Sequence, residues 1–321
     1  MNRKHLFANE ESALHEGNDA SLQAASVQAA TLSAQGFELP TVFHRPAVRR
    51  FNNRRQTKLI CFVSAAILMA IALIGVLLTS VAMESDLSQA RQAPSFEHPF
   101  GTDNLGRDML IRTVAGLSTS IGIGLFAALV SSIIALILGT VAALGGKKAD
   151  ACITWLTDLM LGIPHIVLLL LISYALGKGF WGVALGVAFT HWPSLCRVIR
   201  AEVLQVKQSS YVAVARSLGR SPLYIALHHV LPAVLPQYLV GLILMFPHAI
   251  LHEAAITFLG FGLPPEQPAI GIILSESMSY LSVGMWWLAV FPGLALLLVV
   301  LLFDRAGQGL RRLLDPARAQ E

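Results

Sequence analysis

YVAVARSLGRSPLYIALHHVLP, residues Tyr211 to Pro232, is a polar, helix-prone insert between two long apolar runs. It carries Arg216, Arg220, His228 and His229, and Gly219 interrupts it near its middle. Positive charge of this density between apolar runs marks a cytoplasmic connection in a membrane protein. The spacing predicts two short helices bent at Gly219-Arg220-Ser221-Pro222, with Pro232 opening the next span where a missing N–H costs nothing. A structured elbow of this kind hands force or a signal to a soluble partner.

The composition agrees. The 321 residues are 55% apolar and only 13% charged, the profile of an all-α integral membrane protein and not of a soluble domain with a larger core. The net positive charge calls for no nucleic acid, because Lys and Arg gather at the ends of the apolar runs. Six runs are long enough for helical spans of about 20 residues: 59–83, 118–144, 153–176, 181–198, 233–259 and 285–303. Arg49, Arg50, Arg54, Arg55 and Lys58 before the first run hold the N-terminus inside. Lys147 and Lys148, Arg197 to Arg220 and Arg305 to Arg318 then also fall inside, so both termini are cytoplasmic. The basic cluster before the first run could also meet anionic membrane lipid. Residues 1–58 are polar, lack apolar periodicity and read as a disordered cytoplasmic tail. Residues 84–117 form an extracytoplasmic segment and 118–303 the core, including the loop 199–232. Residues 304–321 form a cytoplasmic tail. Cys61, Cys152 and Cys196 lack metal-site spacing and read as core thiols.

The external segment ends in HPFGTDNLGRD, His98 to Asp108. Gly101 and Gly106 permit tight turns, Asp108 can cap a helix opening at Met109, and Asp103 and Arg107 can tie the turn together. A calcium loop is disfavoured because Val114 stands where the twelfth-position acid belongs. Gly182 and Gly186 form a G-x-x-x-G that lets another helix pack closely. His248 to Gly271 reads HAILHEAAITFLGFGLPPEQPAIG, and Trp286-Trp287 precedes Phe291-Pro292-Gly293.

Taken together, these motifs resemble the dipeptide, oligopeptide and nickel branch of ABC importer permeases. The A-x3-G-x12-P spacing at Ala215, Gly219 and Pro232 resembles that family's ATPase-docking EAA loop, with Tyr211, Arg216 and Leu231 also fitting. This chain has Ala213-Val214-Ala215 where those permeases begin with Glu-Ala-Ala. HPFGTDNLGRD is similar to the family's HPLGTDxLGRD, Glu253-Ala254-Ala255 matches its EAALSFLGLG, and the tail Gly309 to Pro316 is similar as well. The resemblance covers about Glu97 to Pro316. It implies one membrane subunit paired with a second homologous permease, two cytoplasmic ABC ATPases and an extracytoplasmic substrate-binding protein. No cofactor belongs to this chain by that resemblance. ATP and Mg are used by the ATPase subunits.

The residues themselves exclude nucleotide hydrolysis here. Gly145-Gly146-Lys147-Lys148 lacks the leading Gly and the following Ser or Thr of a P-loop. His252-Glu253 begins an H-E-x-x-H, but Ile256 stands at the second ligand, which weakens a membrane metalloenzyme reading. A passive channel is the other alternative. His248 and His252 are four apart and share a helix face, with Glu253 beside them, and His165 and His191 add two more imidazoles. Ionisable groups at membrane depth are costly and face a cavity or a partner helix. His191, His248, His252 and Glu253 are therefore candidates for the translocation path, with interhelical hydrogen bonding by neutral His as the alternative reading. No metal ligand set is assigned. By the resemblance, nickel members similarly place a His before the Trp at 192 and another at 252, which tilts the expected cargo from peptides toward a metal or metal chelate.

Overall fold

The computed structural model describes residues 54–314, whose regular structure is helical, with no strand and only an isolated bridge between Thr102 and Asp108. The helices are α1 (Arg54–Leu77), α2 (Met109–Leu144), α3 (Lys147–Gly162), α4 (His165–Ala175), α5 (Phe180–Lys207), α6 (Ser210–Ser217), α7 (Pro222–Ile225), α8 (Leu231–Phe258), α9 (Ile270–Leu281) and α10 (Trp287–Leu314).

The centre of the bundle is α2. It packs most extensively on α5 and also touches α1, α3, α8, α9 and α10. Small residues make this possible, because membrane helices approach closely only where side chains are short. A Cβ on Gly139 would sit 2.9 Å from Cys196 O and 3.0 Å from Ile199 Cβ, and one on Gly124 would sit 2.6 Å from Ile250 Cγ1. Ala127, Ala128 and Ala135 on the same helix are fully buried. The predicted G-x-x-x-G finds its partner within the chain: Gly182 and Gly186 of α5 back onto Ser173 of α4. By contrast, α1 buries only Ser64, Leu68 and Gly75, one stripe against α2 and α10, and presents Leu59, Phe62, Met69 and Leu73 outward.

Several expected boundaries shift. Among the described residues, four helices are long and apolar enough to cross a membrane, α1, α2, α10 and the continuous Pro222–Phe258 run, and a fifth is counted if a bent pair forms one span. That pair is α3 and α4, bent by 97° at Ile163-Pro164, so the expected straight span 153–176 is broken. Proline removes a ladder donor and disfavours helix at the residue before it, and Ile163 is accordingly extended at φ −87°, ψ 135°. The expected span 181–198 lies within α5, which has the length at 28 residues but carries Arg197, Arg200, Glu202 and Lys207 toward its end. The first span starts at Arg54 and ends at Leu77, so residues 54–58 are helical and not tail. The expected tail from 304 is helix as far as Leu314. The expectation for residues 1–53 and the matching Asp315-Pro316 lie outside the described residues.

Pro232 lies in the first turn of α8, as expected, but the winding before it is continuous. The chain runs from Pro222 to Phe258 through a π turn at Ala226–Val230, whose wider winding absorbs the missing Pro232 donor. The loop after Phe258 also holds a helix, α9, where only a loop was expected. Of the three free thiols Cys196 is buried and Cys61 half-buried, but Cys152 is exposed, correcting its reading as a core thiol.

Candidate functional site

The elbow forms as two helices with a turn between them. Gly219 has φ 75°, its N–H donates to Arg216 O at 3.0 Å, and Arg220 N–H donates to Ala215 O at 3.2 Å. This is the paired closure that ends a helix on a left-handed glycine. Ser221 then accepts from Tyr224 N–H at 3.2 Å, with Pro222 at the first helical position. Inward, Val212, Ala215, Ile225 and Val230 join the core around Ile199, Val203 and Val206. Outward, Tyr211, Val214, Leu218, Leu223 and Leu227 are between 48% and 74% exposed. Arg216 is exposed. Arg220 lies 4.8 Å over the Tyr224 ring, which stacks on His228. The elbow is thus anchored on one side and apolar on the other, the pattern of a protein-docking surface. Leu231 and Pro232 are the first two residues of α8, directly after the π turn.

The segment before α2 is held by charge. Asp103, 3% exposed, accepts from Leu105 N–H and Arg107 N–H, from Arg107 Nε at 2.6 Å and from Arg112 Nη1 at 3.1 Å. Arg112 Nη1 also reaches Glu276 on α9 at 2.7 Å. Asp108 caps α2 through Leu110 N–H and Ile111 N–H, and His98 Nδ1 meets it at 2.7 Å. Gly101 and Gly106 take φ 71° and 74°, as the tight turns require. A Cβ on Gly101 would strike Trp287, while Phe100 stacks on Phe291 at 4.6 Å. Two motifs far apart in sequence therefore clasp each other. Arg112 and Glu276, which complete this network, were not among the expected site residues; the only sequence signal was a charge inside an apolar run.

The imidazoles group differently from the expected pair. His165, His191 and His252 converge from α4, α5 and α8, with ring centroids 4.4 to 5.0 Å apart. His191 Nε2 lies 3.3 Å from His252 Nδ1. His248 contributes only its backbone oxygen, which meets His252 Nδ1 at 2.7 Å, and its side chain is exposed. Helical spacing alone put 248 and 252 on one face, but the bundle supplies other partners. Glu253 also leaves the group. It is fully buried and accepts from Thr257 Oγ1 at 3.0 Å, with its second oxygen unpartnered. A proline near each imidazole was the missed signal: Pro164 before His165, Pro193 after His191 and Pro247 on the turn before His252.

Residues 131–319 match the family described as "Binding-protein-dependent transport system inner membrane component". The chain belongs to that family. It is the permease component of an ABC importer and a multi-pass inner membrane protein. A peptide transport system permease from Brucella suis biovar 1 is 34% identical over 88% of this chain and 96% of its own length. The dipeptide transport system permease protein DppC of Alkalihalophilus pseudofirmus is 36% identical over 77% of this permease and 81% of its own length. An inward-facing structure of the MetNI methionine ABC transporter superposes with a TM-score of 0.54 at 17% identity, covering 64% of this permease and 98% of that chain. That likeness concerns fold alone.

Proposed function

We propose that this permease forms half of the translocation path of an ATP-driven importer for small peptides or nickel and other metal-chelate complexes, delivered by an extracytoplasmic substrate-binding protein. Its partners are a second homologous permease and two cytoplasmic ABC ATPases, which use ATP and Mg; the chain itself is a transport subunit, not an enzyme. Both termini and the elbow face the cytoplasm, in keeping with the basic residues of 197–220 and 305–312. The elbow carries the reading: an anchored inner side and five exposed apolar side chains suit a groove on a moving soluble partner. ATP binding closes the ATPase pair, the elbow transmits that closure, and the spans rock to open the cavity outward. Such coupling requires the two states to differ in their contacts at the elbow.

Copurification tests it. The tagged full-length chain, extracted gently from membranes, should bring an ABC ATPase with it, and loss of that partner in Leu218→Glu/Leu223→Glu should leave the spans folded. A chain that transports with no ATPase bound contradicts the reading and favours a channel.

A further inference from the structure

We infer that His165, His191 and His252 form a three-imidazole site for a borderline first-row divalent cation, of the Ni2+ to Zn2+ class, inside the helix bundle; as a stop for cargo, the site rests on the importer reading above. The three residues each offer one nitrogen, and these nitrogens lie within 4.8 Å of one another. A tetrahedral ion with nitrogen ligands at ~2.0–2.1 Å holds them ~3.4 Å apart. His191 Nε2 and His252 Nδ1 lie 3.3 Å apart, but His252 Nδ1 faces His248 O at 2.7 Å and carries the proton, so His252 would ligate through Nε2. Closing the three donors onto one ion needs shifts of His165 and His252 of about an ångström, within the broad χ2 well of an imidazole.

The proton positions favour metal as well. His191 Nδ1 sits 2.9 Å from Val187 O, which can only accept, so its neutral ring carries the proton there and turns the Nε2 lone pair into the cluster. Fixing one ring nitrogen on a backbone carbonyl is how ligating histidines are oriented. His165 Nδ1 is buried without a hydrogen-bond partner, so no protein group competes with a metal for it. Nitrogen donors with no carboxylate select against Mg2+, Ca2+ and alkali ions, which take oxygen. Three ligands leave a fourth position open for water or a chelator, which suits exchange more than permanent retention.

The placement gives the site a second property. His165 is the first residue of α4, directly past the 97° bend, while His191 and His252 lie on the neighbouring α5 and α8. An ion bound by all three ties the far side of the bend to the rest of the bundle. Any motion of α4 that accompanies gating then changes the affinity, so the ion binds one state of the permease better than the other.

The test uses the full chain purified metal-free in detergent. Ni2+ alone is titrated by calorimetry, and the Ni2+-loaded wild type is measured by X-ray absorption. One ion per chain with three imidazole nitrogens is the expected result, and it needs no variant. His165→Ala, His191→Ala and His252→Ala should each weaken binding by more than about a hundredfold, beyond the roughly 10–100-fold that losing an outer-shell contact costs. His248→Ala should bind as wild type. Oxygen-only or single-imidazole coordination, or affinity unchanged in the three variants, overturns the proposal, as does loss of binding in His248→Ala alone. ATP-driven peptide uptake by the chain reconstituted with its partner subunits in proteoliposomes separates the two readings. Intact uptake without the nickel site sinks this inference alone, whereas absence of any coupled ATPase sinks the importer reading whatever the metal result.

Discussion

Arg112 donates from Nη1 to Asp103 Oδ2 across 3.1 Å, with both side chains almost completely buried. Asp103 is also the partner of Arg107, so a single carboxylate faces two buried guanidinium groups, relieved only by Glu276, whose side chain is 34% exposed. Two nitrogens of Arg112 have no partner in the structure. Removing one side of a buried charge cluster leaves the other uncompensated, which costs ~3–5 kcal/mol. Asp103→Ala should therefore lower the thermal midpoint of the purified permease sharply. Glu276→Gln, at a more solvated position, should lower it much less. Equal effects would mean that Asp103 does not hold the network together.

The centre of the bundle makes a steric prediction. Gly139 of α2 has no room for a side chain against Cys196 and Ile199, whereas a Cβ on Gly122 would meet nothing within 4 Å. Gly139→Val should destabilise by about 1–3 kcal/mol through overpacking, and Gly122→Ala should be close to neutral. Thermal unfolding in one detergent compares them directly. A neutral Gly139→Val would show that α2 and α5 do not approach as closely as described.

At the elbow, Gly219 has space around it but a left-handed backbone, so strain alone should govern a substitution there. Gly219→Ala should cost roughly 1–2 kcal/mol locally. The Arg220 amide, closed onto Ala215 O, should then exchange roughly 5–30-fold faster, read by hydrogen exchange over 210–225. Unchanged exchange would argue against the glycine-terminated turn.

Much of this architecture was legible in the sequence, and the parts that were not share a physical cause. Local chemistry was readable: Gly219 had to break the elbow, Asp108 could cap α2, and Asp103 and Arg107 were close enough to tie a turn. Helix ends were harder, because charges and polar residues mark where a membrane run ends while backbone hydrogen bonding continues, from 118 back to Met109 and from 303 on to Leu314. Pro164 was visible, but the apolar length of 153–176 outweighed it. The helix Ile270–Leu281 was hidden because its 12 residues are too short for a span and follow a proline-rich stretch. The imidazoles failed for a different reason. Spacing within one helix picks out His248 and His252, but which face of α8 meets His165 and His191 is a property of the packed bundle.

The measurement that bears most directly on the central claim is coupled uptake in proteoliposomes containing this permease with its partner subunits. ATP hydrolysis and substrate accumulation should be followed together for Gly219→Pro and Arg216→Glu. Proline cannot adopt φ 75° and removes the N–H that donates to Arg216 O, so the elbow loses its shape while the spans, packed elsewhere, remain. The account predicts that accumulation falls at least about tenfold relative to ATP hydrolysis, within the range of functional coupling between sites, with the thermal midpoint of the spans retained. Accumulation per ATP equal to wild type in both variants would contradict it.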